Sequence, residues 1–162
     1  MPPAGYSRTQ ILLHWAVFVL VVLQFVLHDG IAGAFRSLTE GGTPPFDLLV
    51  AQHIIGGWLI FAFMVWRLVL RFRRGVPPPP EGEGQVQKVA AAVTHATLYL
   101  LLLGIPLTGS IAWFTLSRGA ADVHEAGKNV LFILVAVHIA AALFQHYVRG
   151  NGLIARMMKA AA

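Results

Sequence analysis

Four apolar runs divide this chain. The first covers Ile11–Leu27 and is interrupted by His14, Trp15 and Gln24; the second covers Leu48–Leu70 and holds Gln52, His53 and Arg67. The third, Val89–Phe114, contains His95 and Pro106, and the fourth, His124–Val148, carries His124, His138 and His146. Each approaches the roughly 20 residues that a helix needs to cross a bilayer. Helices are the natural assignment, because four strands cannot close a barrel and lipid tolerates no open sheet edge. The pattern predicts an all-α, integral membrane four-helix bundle forming one domain over residues 1–162, with spans at about 10–28, 48–70, 88–114 and 124–148. Residues 73–87, rich in Pro and Gly, read as an extended, solvated linker between the second and third spans.

Composition agrees with a membrane protein. Hydrophobic residues make up 57% of the chain and charged residues 12%, about half the charged share of soluble domains. The absence of cysteine excludes disulfides, zinc–thiolate sites and Cys-ligated iron–sulfur clusters. The net charge of +5 reads as topology, not as a nucleic-acid footprint. Arg8, Arg67, Arg71, Arg73, Arg74, Lys88, Arg149, Arg156 and Lys159 fall on the side of the two termini, whereas Arg36, Arg118 and Lys128 share the other side with five of the seven acids. The positive-inside rule then puts both termini in the cytoplasm. IAGA at 31–34 loosely resembles a signal-peptidase site, but the run before it is long and interrupted by His14 and Gln24, so it is expected to be a retained span.

The histidines carry the chemistry. His124 and His138 are fourteen residues apart, so both leave one face of a helix, roughly 21 Å apart along its axis. Sorted by depth, His53 and His124 fall in an outer layer, and His14, His95 and His138 in an inner layer. His28 and His146 are boundary residues, where an exposed imidazole is ordinary. One intramembrane His often does no more than hydrogen-bond between helices. For His14, His53, His124 and His138 together, four costly groups in two layers instead suit bis-histidine haem in a helical bundle, with no iron position left for oxygen. Gly56 and Gly57 follow His53, Gly127 follows His124, and Ala141 and Ala142 follow His138 at helical spacing. These small residues either admit a porphyrin or let helices pack closely. A proton relay or metal transporter is the competing chemistry. It would usually place Asp or Glu inside the spans, and here every acid lies in a connection or at a boundary.

Several segments resemble the bacterial cytochrome b561 family: YSRTQILLHW at 6–15, AQHIIGGW at 51–58, MVWRLVLR at 64–71, THATLYLLLLGIPLTG at 94–109, HE at 124–125 and VHIAAALFQHY at 137–147. The resemblance covers nearly the whole chain. It implies a four-helix bundle of the bacterial inner membrane with two b haems, the inner taking His14 and His138 and the outer His53 and His124 as axial ligands. It further implies electron exchange between the periplasmic face and the quinone pool, with superoxide oxidation and ubiquinone reduction as one activity of the family. Gln145 stands where some relatives have a further His, and the connection Thr115–Val123 is short for an outer substrate funnel.

Two further sites are expected at the inner layer. Arg67, fourteen residues after His53, reaches the depth of the inner haem and would pair with a propionate, if it does not simply snorkel to water. His95, Arg71 and His146 are the candidates for a quinone site touching both lipid and water. The functions left in play are a self-contained superoxide:ubiquinone oxidoreductase, a cytochrome subunit or relay for a separate periplasmic dehydrogenase and, more weakly, a haem-free membrane anchor.

Overall fold

The computed structural model of the chain describes residues 3–80 and 82–161. Glu81, inside the expected linker, lies outside the described residues, as do residues 1, 2 and 162. Five helices follow one another: α1 Arg8–Val26, α2 His28–Thr39, α3 Leu48–Arg74, α4 Gln85–Thr115 and α5 Arg118–Leu143, the last extended by a π-turn over Phe144–Val148 and followed by a 3-10 turn, Ile154–Met157. Four of them, with α5 counted through Val148, are long and apolar enough to cross a membrane. The architecture is an all-α, four-helix membrane bundle with one additional short helix.

Local chemistry sets the helix ends. Ser7 Oγ accepts from the Gln10 N–H at 3.3 Å while Gln10 Oε1 accepts from the Ser7 N–H at 2.9 Å, a capping box that starts α1. Asp47 caps α3 by accepting from the Leu49 N–H at 2.8 Å, and Gly75, at φ 75°, ends that helix. Pro106 sits inside α4 without ending it, as membrane-spanning helices tolerate. Ser110 Oγ donates to the Pro106 carbonyl at 2.8 Å, and Thr108 Oγ1 to that of Ile105 at 3.0 Å.

The main packing pairs are α4 with α5, α1 with α3, and α3 with α4, while α2 lies against α3. The buried core is narrow: Val17 and Val21 of α1 meet Ile60 and Met64 of α3, with Tyr99, Leu102 and Leu103 of α4 packed against them. Leu12, Phe72 and Leu100 stay 70–80% exposed. A water-soluble protein of this size would bury such side chains, whereas here they form the lipid-facing surface.

Between the first two expected spans, HDGIAGAFRSLT at 28–39 folds as the amphipathic helix α2, with Ile31, Phe35 and Leu38 at helical spacing on one face. Two expectations need correction. Thr115–Val123 is not a loop. Leu116 closes α4 in the left-handed region at φ 50°, and Ser117 at once caps α5 by accepting from the Ala120 N–H, leaving a two-residue joint at Leu116 and Ser117. The Pro-rich segment is tied down instead of solvated, with Pro77 and Pro80 buried. The Gly75 carbonyl accepts from Gln10 Nε2 at 3.2 Å, the Pro78 carbonyl from Arg156 Nη1 at 2.7 Å, and Glu83 from Gln145 Nε2 at 3.3 Å. The chain ends meet at the same end of the bundle, where the Ala161 N–H donates to the Tyr6 carbonyl at 3.0 Å.

Candidate functional site

The fold brings the intramembrane histidines together in two clusters joined by α5. In the outer one, His53 of α3 and His124 of α5 have ring centres 6.2 Å apart. In the inner one, His14 of α1 and His138 of α5 are 6.4 Å apart. Two imidazoles bound to one metal ion at about 2 Å on opposite sides have ring centres about 6 to 6.5 Å apart. Both pairs have that spacing. Among the described residues no group of three or more His, Asp or Glu could hold a bare metal ion, so a group bringing its own equatorial ligands fits better.

His124 is held by α4. Its Nδ1 is 2.9 Å from the Ile105 carbonyl oxygen, and a carbonyl can only accept, so Nδ1 carries the hydrogen and Nε2 keeps its lone pair for a metal. Gly109 makes room for this ring, since a Cβ there would stand 2.8 Å from both Cε1 and Nδ1 of His124. A cavity of about 710 Å³ surrounds the outer pair, lined by His53, His124, Gly57, Ile60, Leu102 and Pro106 among others. That volume lies within the roughly 300–1,000 Å³ of cofactor and ligand sites. Gly57 faces open space, as a porphyrin edge requires. Gly56 and Gly127 do not: a Cβ on Gly56 would collide with the Gln24 amide, and one on Gly127 would meet Ile105 at 3.1 Å. Those two glycines serve helix packing.

His28 and Gly109 also belong to this site. Expected as an exposed boundary residue, His28 is half-buried and lines the cavity. Its ring stands 6.1 Å from that of His53, but its Nε2 faces Glu125 Oε2 at 3.8 Å, and Glu125 pairs in turn with Lys128 at 2.8 Å. Only the structure of α2 reveals this, because it turns the chain back over the bundle end.

At the inner layer His95 packs against His138 with ring centres 5.3 Å apart, and Trp15 stands edge-on to His14 at 5.4 Å. Arg67 Nη1 lies 3.5 Å from the Gln10 carbonyl, at the limit of a hydrogen bond. The Arg71 guanidinium lies over the Tyr99 ring and His146 packs edge-on to Tyr147. His95, Arg71 and His146 thus form no single hydrogen-bonded cluster among the described residues. Just outside the first span, burial raises the Tyr6 phenol above its ordinary pKa, against the opposing charges of Arg71, Arg156 and Arg67.

A helical membrane bundle with layered imidazole pairs and a cofactor-sized cavity defines a class, the membrane cytochromes that seat haem between helices. The chain belongs to one family of that class, since the family model described as prokaryotic cytochrome b561 matches residues 5–160. It is 33% identical over 155 residues to the Cereibacter sphaeroides protein named cytochrome b562, with 96% of each chain covered. It is 29% identical over 178 residues to cytochrome b561 homolog 1 of Escherichia coli K12, covering 94% of this chain and 96% of that one. A Yersinia pestis protein named "Probable superoxide oxidase CybB" is 24% identical over 174 residues, covering 94% and 95%. Family membership makes this a prokaryotic membrane electron-transfer protein with b-type haem.

Proposed function

We propose that the chain is a dihaem carrier of the bacterial inner membrane, with both termini in the cytoplasm, His14 and His138 ligating the inner iron and His53 and His124 the outer. The observation that carries this reading is the pair of ligand-like separations, 6.4 and 6.2 Å, with one member of each pair on α5. Bound in these layers, b haem supplies reversible one-electron exchange without an open iron position. The Ile105 carbonyl holds His124 in one tautomer. Arg67 offers its guanidinium to an inner propionate. At the inner end His95, Arg71 and His146 serve a membrane quinone with hydrogen bonds and protons.

The outer donor in this reading is superoxide, as the name of the Yersinia relative invites. Two superoxide ions leave as dioxygen, and ubiquinone takes the two electrons with two protons to become the quinol. The second reading is a relay for a separate periplasmic dehydrogenase. It is favoured by the outer cavity's charge, where Arg36, Arg118 and Lys128 are balanced by Glu40, Asp122 and Glu125 and give an anion little net attraction. Purified protein should show two haems per chain and a b-type reduced-minus-oxidised spectrum; one haem or none would overturn the dihaem reading. Superoxide-driven ubiquinone reduction by the isolated protein separates the two donors, since a relay would be inactive without its dehydrogenase.

A further inference from the structure

Four buried polar atoms in the outer half of the bundle lack a hydrogen-bond partner among the described residues: Nε2 and Oε1 of Gln24, Oε1 of Gln52 and Nδ1 of His53. They are gathered, not scattered. A Cβ on Gly56, one turn after His53, would collide with Gln24 Nε2 and stand 3.4 Å from Gln52 Nε2. The Gln24 amide of α1 therefore sits on the α3 surface that carries His53 and Gln52, and both Gln24 and His53 line the outer cavity. Away from water, unpaired polar groups at such a place are strongly disfavoured.

The donor and acceptor types solve one another. An imidazole that ligates through Nε2 carries its hydrogen on Nδ1 and needs an acceptor there. Its counterpart His124 has one in the Ile105 carbonyl, 2.9 Å from Nδ1. For His53 the unpaired acceptors at hand are amide oxygens. We propose that Gln24 is the positioning residue for the outer ligand: His53 Nδ1–H donates to Gln24 Oε1, and Gln24 Nε2–H donates to Gln52 Oε1. This chain pairs all four atoms, and it rests on His53 being an axial ligand. The two outer ligands then differ in kind. The acceptor for His124 belongs to the main chain, which side-chain substitution does not remove, while that for His53 is a side chain open to tuning. An acceptor on Nδ1 makes the imidazole more basic and favours the ferric state.

The test is a spectroscopic redox titration of the purified, haem-loaded protein. Gln24→Met keeps the side-chain shape and removes the acceptor; it should raise the outer midpoint potential, leave the inner one in place, and change the low-spin resonance signature of the outer haem. Gln52→Leu should produce a smaller rise. Because Gln52 acts through Gln24, the double variant should match Gln24→Met alone. No shift, equal shifts of both haems, or additive shifts would overturn the proposal. If Gln24→Met loads poorly, Gln24→Leu serves for the same comparison. A His53→Ala protein that keeps its outer haem removes the ligand assignment instead, so the two failures remain distinct.

Discussion

The ring of His95 lies closer to that of His138 than the ring of His14 does, 5.3 Å against 6.4 Å between centres. Five ångströms suits an edge-to-face contact between two rings and is too short to seat an iron between them. Depth alone leaves His14 and His95 equivalent as partners for His138, and this difference favours His14. His138→Ala and His14→Ala should each reduce the haem-to-protein ratio from two to one, and His95→Phe should leave it at two. A His138→Ala protein retaining two low-spin haems would defeat the assignment.

The outer site should be sensitive to one glycine. Gly109→Ala places a methyl 2.8 Å from the His124 ring, so the ring must move off the Ile105 carbonyl or α4 must shift. Overpacking of this kind is destabilising by about 1–3 kcal/mol. The variant should lose outer haem while keeping the inner one. Gly104→Ala is the control, since its Cβ meets nothing within 4 Å. Equal haem content in both variants would argue against the crowding.

Arg67 tests the inner layer. It is half-buried and held at most weakly, by a 3.5 Å contact to the Gln10 carbonyl, which leaves its guanidinium free to serve a propionate. Arg67→Leu should lower the inner midpoint potential, because a nearby cation favours the reduced, less positive iron, and should leave the outer potential nearly unchanged. A redox titration that moves both haems equally, or neither, contradicts the pairing.

Quinone reduction depends on His95 in the same way. His95→Phe preserves the ring packing on His138 and removes both nitrogens. Single-turnover kinetics should then show normal haem reduction from the outer side and transfer to quinone slower by about a hundredfold or more, in the range that proton-handling groups usually contribute. Unchanged transfer would redirect the search toward Tyr6 and Arg156 at the bundle end.

The four spans and the two histidine layers were legible because lipid forces a simple code, in which long apolar runs are helices and an intramembrane imidazole stands out against them. Where the code lapses, at the bundle ends, reading fails. Residues 28–47 mix glycine, charge and proline, so the composition hides the one apolar stripe of α2, and an imidazole at a span boundary such as His28 reads as a surface residue. The role of Gly109 is not legible along α4 because its partner, His124, lies on another helix, and no periodicity along one segment reports a contact between two. The linker misled for a similar reason: proline tracts are extended by themselves, but here Gln10, Arg156 and Gln145 anchor the segment around the tract from three other elements.

The fourteen-residue spacing that puts one histidine of each pair on α5 also fixes an electrical quantity. About 21 Å of helix is two-thirds of the roughly 30 Å hydrocarbon layer. An electron passing from the outer pair to the inner pair therefore crosses about two-thirds of the membrane voltage, worth about 1.5 kcal/mol for every 100 mV. With the cytoplasm negative, inward passage runs against that field. On the proposed orientation an energised membrane should slow quinone reduction, and dissipating the voltage should speed it, with no change in the protein.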